Sequence, residues 1–116
     1  MVENKSIELR SYSAAAPGSL VFNRIWRLQT AGEAVPGTIK EAYFSVLENG
    51  REKMRLSLGD GLTWDDADKS VLIQIANEKV AFIRTDSVME YSFYVVWEHG
   101  DIQTIREGAV TALRVA

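Results

Sequence analysis

The sequence predicts an all-β fold of short strands with one short helical turn, a sandwich or a barrel; the form expected is a sandwich of two antiparallel sheets with about seven strands. Three observations predict it. Apolar residues recur with period 2 in segment after segment. Turn signals such as Asn49-Gly50 and Pro17-Gly18 separate these segments. Only one short stretch carries a helical pattern. A chain of 116 residues with 47% hydrophobic and 25% charged residues has ordinary globular composition. It fits a single β-sandwich domain spanning 1–116.

In chain order, Ile7 to Tyr12 reads as the first strand. Leu20 to Leu28 is the second, with Leu20, Phe22, Trp26 and Leu28 pointing one way and Arg24 as the exception. A further Pro-Gly turn falls at Pro36-Gly37. Lys40 to Glu48 is the third strand. Glu52 to Leu58 is the fourth, with Met54, Leu56 and Leu58 on one face. The acidic stretch from Gly59 to Asp68 reads as a loop. Ser70 to Ala76 is the fifth strand, and Asn77 to Ile83 is a short helix behind an N-cap residue. Met89 to Glu98 is the clearest strand, rich in aromatic and β-branched residues. Ile102 to Val115 supplies one or two more, with Gly108 marking a bulge or a close backbone approach.

Asn49-Gly50 predicts a two-residue type I′ hairpin that pairs Glu48 with Arg51. Strict alternation from that pair places Tyr43, Ser45, Leu47, Glu52, Met54 and Leu56 on the core face. Phe44 and Val46 then stand outside beside Lys53 and Arg55. These four residues form the candidate interaction surface. The second hairpin turns near His99-Gly100-Asp101, and its register stays open. A two-residue loop sets Tyr91, Phe93 and Val95 across from Gly108, Arg106 and Thr104. A three-residue loop sets them across from Ile105 and Gln103, which exchanges the faces of the last strand.

No catalytic residues are expected, and no cofactor or metal. The chain has no cysteine and a single histidine, His99, in an exposed turn. Nucleophile-elbow, phosphate-loop and zinc-protease motifs are missing. The four aspartates Asp60, Asp65, Asp66 and Asp68 lack the spacing of a calcium loop and read as Asx-turn formers, although clustered carboxylates leave calcium open. A net charge of −3 argues against nucleic acid as a partner. No secretory leader and no membrane-inserting segment is expected from the sequence.

Four blocks carry a likeness to a known family: Ala31 to Pro36, Val71 to Ile75, Tyr91 to Val95 and Ile105 to Val110. In their order the stretch Gln29 to Val115 resembles the Ig-like β-sandwich domains of tailed-phage and prophage virion proteins, such as baseplate upper proteins. The tyrosine-rich strand and the glycine before the final strand are the closest features. Ile7 to Leu28 departs from the pattern in its tryptophan and arginine, and Gly37-Thr38-Ile39 in its linking segment. The resemblance implies a virion structural component of the tail or baseplate, made in the bacterial host cytoplasm. It would act by protein–protein assembly with other virion proteins or with copies of itself, and without chemistry. The alternative is a binding module for carbohydrate or another ligand, which exposed stacking tryptophans would favour. Buried tryptophans with an exposed apolar patch or sheet edge would favour assembly.

Overall fold

The computed structural model describes residues 3–30, 33–34, 37–81, 83 and 88–115. Their strands are β1 (Glu3–Asn4), β2 (Ile7–Tyr12), β3 (Leu20–Arg27), β4 (Gln29–Thr30), β5 (Glu33–Ala34), β6 (Ile39–Glu48), β7 (Arg51–Leu58), β8 (Gly61–Asp65), β9 (Ser70–Ala76), β10 (Met89–Trp97) and β11 (Ile102–Val115). One helix, α1 (Asn77–Ala81), follows β9. Ala31, Gly32, Val35 and Pro36, which belong to the first block of the family likeness, lie outside the described residues. So does Phe82 near the end of the expected helix.

The all-β class and the single short helix are as expected, but the two-sheet sandwich of seven strands is not what forms. The strands make one continuous sheet in the order β2-β11-β10-β6-β7-β8-β9-β3, curled into a nearly closed barrel, and β1 adds to β11 beside β2. β4 and β5 form a small separate hairpin. The pairing is antiparallel except where β2 and β1 run parallel to β11 and where β7 runs parallel to β8. β8 lies inside the acidic stretch read as a loop. Leu62 and the part-buried Trp64 alternate on its inner face, but two apolar residues among glycine, threonine and aspartate are too few for period 2 to stand out.

The first hairpin forms across Asn49-Gly50, whose φ angles of 50° and 79° are those a type I′ turn requires. Glu48 pairs with Arg51 and Leu47 with Glu52, but Val46 pairs with Met54. Lys53 is thus an extra residue, and this bulge resets the parity of the hairpin. Phe44, Val46, Met54 and Leu56 all turn inward as a result, and Phe44 and Val46 are fully buried. The placement of Phe44 and Val46 on an outer surface is therefore corrected: strict alternation forces one strand to expose its apolar set, and the bulge lets both bury theirs. Burying a Phe or Val side chain is worth about 1.5–3 kcal/mol, which favours the bulged pairing. A second bulge, at Val21, leaves Leu20 exposed rather than aligned with Phe22.

The last hairpin contains both registers that the sequence left open. Its tip is the three-residue loop Glu98-His99-Gly100, closed by the Trp97 N–H donating to the Asp101 carbonyl at 2.9 Å. Val95 pairs with Gln103 there. Beyond a register shift next to Phe93, that residue pairs with Arg106 and Tyr91 with Gly108, leaving Ile105 as the extra residue. Gly108 is the expected close approach: a Cβ built there would sit 2.2 Å from the Lys5 carbonyl oxygen. Lys5 in turn donates its N–H to the Glu107 carbonyl and accepts from the Tyr91 hydroxyl at 2.6 Å.

Phe44→Glu should abolish cooperative folding, because it buries an unpaired carboxylate. Lys53→Ala should stay within about 0.5 kcal/mol of the parent, as exposed substitutions do. Urea denaturation of both proteins checks the bulge, since strict alternation would leave both variants equally well folded.

Candidate functional site

The curled sheet ends in two strands that meet without a ladder. Among the described residues β2 pairs only with β11, and β3 only with β9. β2 and β3 are consecutive in the chain and close together near the turn that joins them. Ile7, Leu9 and Ser11 point into the barrel or toward it, which leaves Glu8, Arg10 and Tyr12 on the outside. On β3, Phe22 and the part-buried Trp26 face inward with Arg24 between them.

A groove of about 460 Å³ opens along this seam. Its walls include Glu8, Arg10 and Tyr12 from β2, Phe22, Arg24 and Trp26 from β3, and Arg106 from β11. The Arg106 guanidinium lies 4.3 Å over the Trp26 ring, and that of Arg24 lies 5.3 Å from the Phe22 ring centre. Stacking of this kind holds each cation on an aromatic face. Arg10 pairs with Glu8 on the rim, which holds the Arg10 guanidinium above its usual value, chiefly through the hydrogen bond. Among the described residues, Arg10, Arg24, Arg106 and Glu8 are the charged side chains that line the groove. The aromatic floor of the groove continues inward, with Trp26 ring centres 5.5 Å from Phe93 and 6.0 Å from both Phe44 and Tyr91.

Asn77 closes one end of the seam. Its Oδ1 accepts from the Tyr12 N–H at 2.6 Å and its Nδ2 donates to the Tyr12 carbonyl at 3.0 Å. The residue expected to cap the helix thus spends its amide on the edge of β2. Glu78 braces the same corner by accepting the Gly18 N–H at 2.7 Å. That hydrogen bond holds the Glu78 carboxyl below its usual value.

The four residues proposed from sequence as one surface do not come together as one. Phe44 and Val46 are in the core. Lys53 is exposed, 3.9 Å from a Glu48 oxygen. Arg55 lies 4.3 Å over the ring of Tyr43, which packs 5.2 Å from Tyr94 on the outer face. His99 sits in the exposed tip as expected, 3.1 Å from Asp101. The groove was missed, although one signal pointed to it. Arg24 interrupts an otherwise apolar face, which is costly unless the side chain has somewhere polar to go.

The aspartates of the acidic stretch are each engaged. Asp65 accepts the N–H groups of Ala67 and Asp68, which is the expected Asx turn. Asp66 pairs with Lys69 at 2.9 Å and also accepts from the Trp64 indole; Lys69 first, then Thr38, holds its carboxyl below the usual range. Asp68 meets Arg27 at 3.2 Å and Asp60 meets Lys79 at 3.6 Å. Among the described residues no three metal-ligating side chains gather at one point.

Millimolar calcium should leave the melting temperature unchanged, because a ligand bound only by the folded state would raise it. A rise of several degrees would mean that these aspartates rearrange around the ion.

The Glu78 brace should show in the pH dependence of stability. Its folded-state pKa is depressed, so its contribution is present above the unfolded value of 4.5 and is lost as pH falls through the folded value. Glu78→Gln should therefore be less stable than the parent at neutral pH, with the gap narrowing in acid. Urea midpoints measured across the acid range check this. Family models, curated proteins and solved structures offer no match to this chain.

Proposed function

We propose that this protein acts by protein–protein assembly, as a structural component of a phage or prophage virion in the tail or baseplate. The observation that carries the assembly part is the open seam, where β2 and β3 end the sheet without pairing to each other. Unpaired strand edges are templates for another chain. The exposed apolar side chains support the same reading. Of the six large ones among the described residues, Tyr12, Leu20 and Ile25 stand on β2 and β3, and Ile102 and Leu113 stand on β11.

The tryptophans favour assembly over a carbohydrate-binding module. Trp97 is buried, with its indole donating to Gln103 at 2.9 Å. Trp26 lies in the aromatic core, and Trp64 is half-buried beside Thr38. Arg106 lies over the Trp26 ring and Lys69 near that of Trp64, so a cation stands at each part-buried indole. The virion setting rests on the family likeness of the strand blocks described above.

Co-expression with the products of the adjacent open reading frames tests the proposal. The expected result is a complex of fixed stoichiometry with at least one of them, seen by light scattering after affinity capture. Recovery of the chain alone from every pairing, with metabolic genes as neighbours, would overturn it.

A further inference from the structure

We infer that the chain forms a two-fold dimer in which β2 pairs edge to edge, antiparallel, with β2 of a second copy, in the register centred on Leu9. This rests on the assembly reading and names a second copy of the same chain as a partner.

The backbone supplies the first argument. In an extended strand the N–H and C=O of one residue point to the same edge, and those of the next residue to the other. Ser13 donates its N–H to the Val115 carbonyl at 3.0 Å, so residues of its parity face β11. Glu8, Arg10 and Tyr12 have the other parity and aim their backbone groups at the seam. The Asn77 amide already engages both groups of Tyr12 there. Beside Glu8 and Arg10 runs the groove of about 460 Å³, and among the described residues no strand pairs with β2 on that side. An antiparallel copy of β2 would serve both residues, because facing residues of the hydrogen-bonded kind exchange N–H and C=O in both directions.

Charge selects the register. A two-fold centred on Glu8 opposes that residue to its own copy, and one centred on Arg10 does the same for the arginine. Like charges directly opposite destabilise a sheet. Centred on Leu9, the two-fold sets Glu8 across from Arg10 of the second copy, and Arg10 across from Glu8 of the second copy. The two contacts are one contact made twice, as in any isologous interface. Each copy brings one positive and one negative side chain, so the pairing needs no surplus charge on either. Glu8 and Arg10 already attract each other along the strand and are about half exposed, at 47% and 51%. Each can therefore meet a second partner without leaving water. Ile25, 54% exposed on β3 across the seam, adds apolar area toward which a strand added to β2 advances.

The test is the mass of the full chain in solution, by sedimentation and light scattering from micromolar to millimolar concentration. A monomer–dimer equilibrium is expected. Glu8→Arg makes the four facing charges all positive, and Arg10→Glu makes them all negative. Each should raise the dimer Kd by about tenfold or more. The two variants mixed in equal amounts should dimerise again, because each supplies the sign that the other lacks. The double exchange of Glu8→Arg with Arg10→Glu should also restore the parent affinity. Melting curves should match the parent, as exposed substitutions allow. If a reversal lowers the melting temperature, Glu8→Cys and Arg10→Cys decide instead, since the chain has no cysteine of its own. In the Leu9 register these two positions face each other with Cα atoms about 5.5 Å apart, within disulfide reach. Their mixture should therefore cross-link faster than either variant alone. A parent that stays monomeric throughout would overturn the inference. So would a dimer indifferent to both reversals, a mixture of well-folded reversal variants no more dimeric than its components, or equal cross-linking rates. The two proposals fail separately. A chain monomeric by itself that still joins a neighbouring gene product sinks the dimer and leaves assembly standing. A charge-selected dimer without any such complex sinks the virion reading and leaves the dimer.

Discussion

The contact on which the rest of the barrel depends is the packing of Trp26 across its interior. β3 is the last strand of the sheet, while β6 and β10 lie in its middle. No ladder joins them, yet the Trp26 ring centre is 5.5 Å from that of Phe93 on β10 and 6.0 Å from that of Phe44 on β6. A sheet of this length twists, but twist alone does not fix how far it curls. The large aromatic from the edge strand sets the distance between the end of the sheet and its centre. Aromatic pairs at such separations add about 0.5–1.5 kcal/mol each beyond the area they bury. The same contact leaves a mouth at the seam, because the ring fills the interior before β3 comes into ladder distance of β2 along its whole length. Arg106 then stacks on the exposed side of the indole. Core and groove share one side chain.

Much of the fold was legible in the sequence because period 2 survives in the segments that bury one face. β9 and β10 alternate cleanly, and both were read at nearly their full length. The Asn49-Gly50 turn and the close approach at Gly108 were legible because each follows from the backbone requirements of one residue. Faces were less legible than strands. A bulge inserts one residue without changing composition, and every side chain beyond it exchanges sides. That is why Phe44 and Val46 read as outer residues, and why the last hairpin matched two registers at once. The short strand β8 was hidden for another reason: it has only two apolar residues, Leu62 and Trp64, set among the glycines and aspartates that flank it, and it pairs with β7 and β9.

The candidate groove was the least legible part. Arg10, Arg24 and Arg106 come from three strands, and only the curling of the sheet brings them together. No spacing rule connects residues whose proximity depends on topology. A single local trace remained, in the arginine that breaks the apolar face of β3. A buried-face pattern with one charged exception marks a place where the barrel wall is open, and the exception at Arg24 opens onto the groove.

The parallel pairing of β2 with β11 has a consequence for the order of folding. Ile7 pairs with Val110 and Tyr12 with Val115, so among the described residues β2 finds its ladder partner only in a strand far along the sequence. The contacts inside the two hairpins are local and can form early, whereas this pairing must close a loop that contains every strand from β3 to β10. Loop closure of that kind is entropically costly, and topologies dominated by distant pairings fold slowly. During synthesis β2 leaves the ribosome long before β11 exists. Throughout that interval both edges of β2 lack a strand, and Leu9, fully buried in the finished barrel, has no core to enter. The nascent chain therefore passes through a stage in which its early strands are exposed to any pairing partner in the cell.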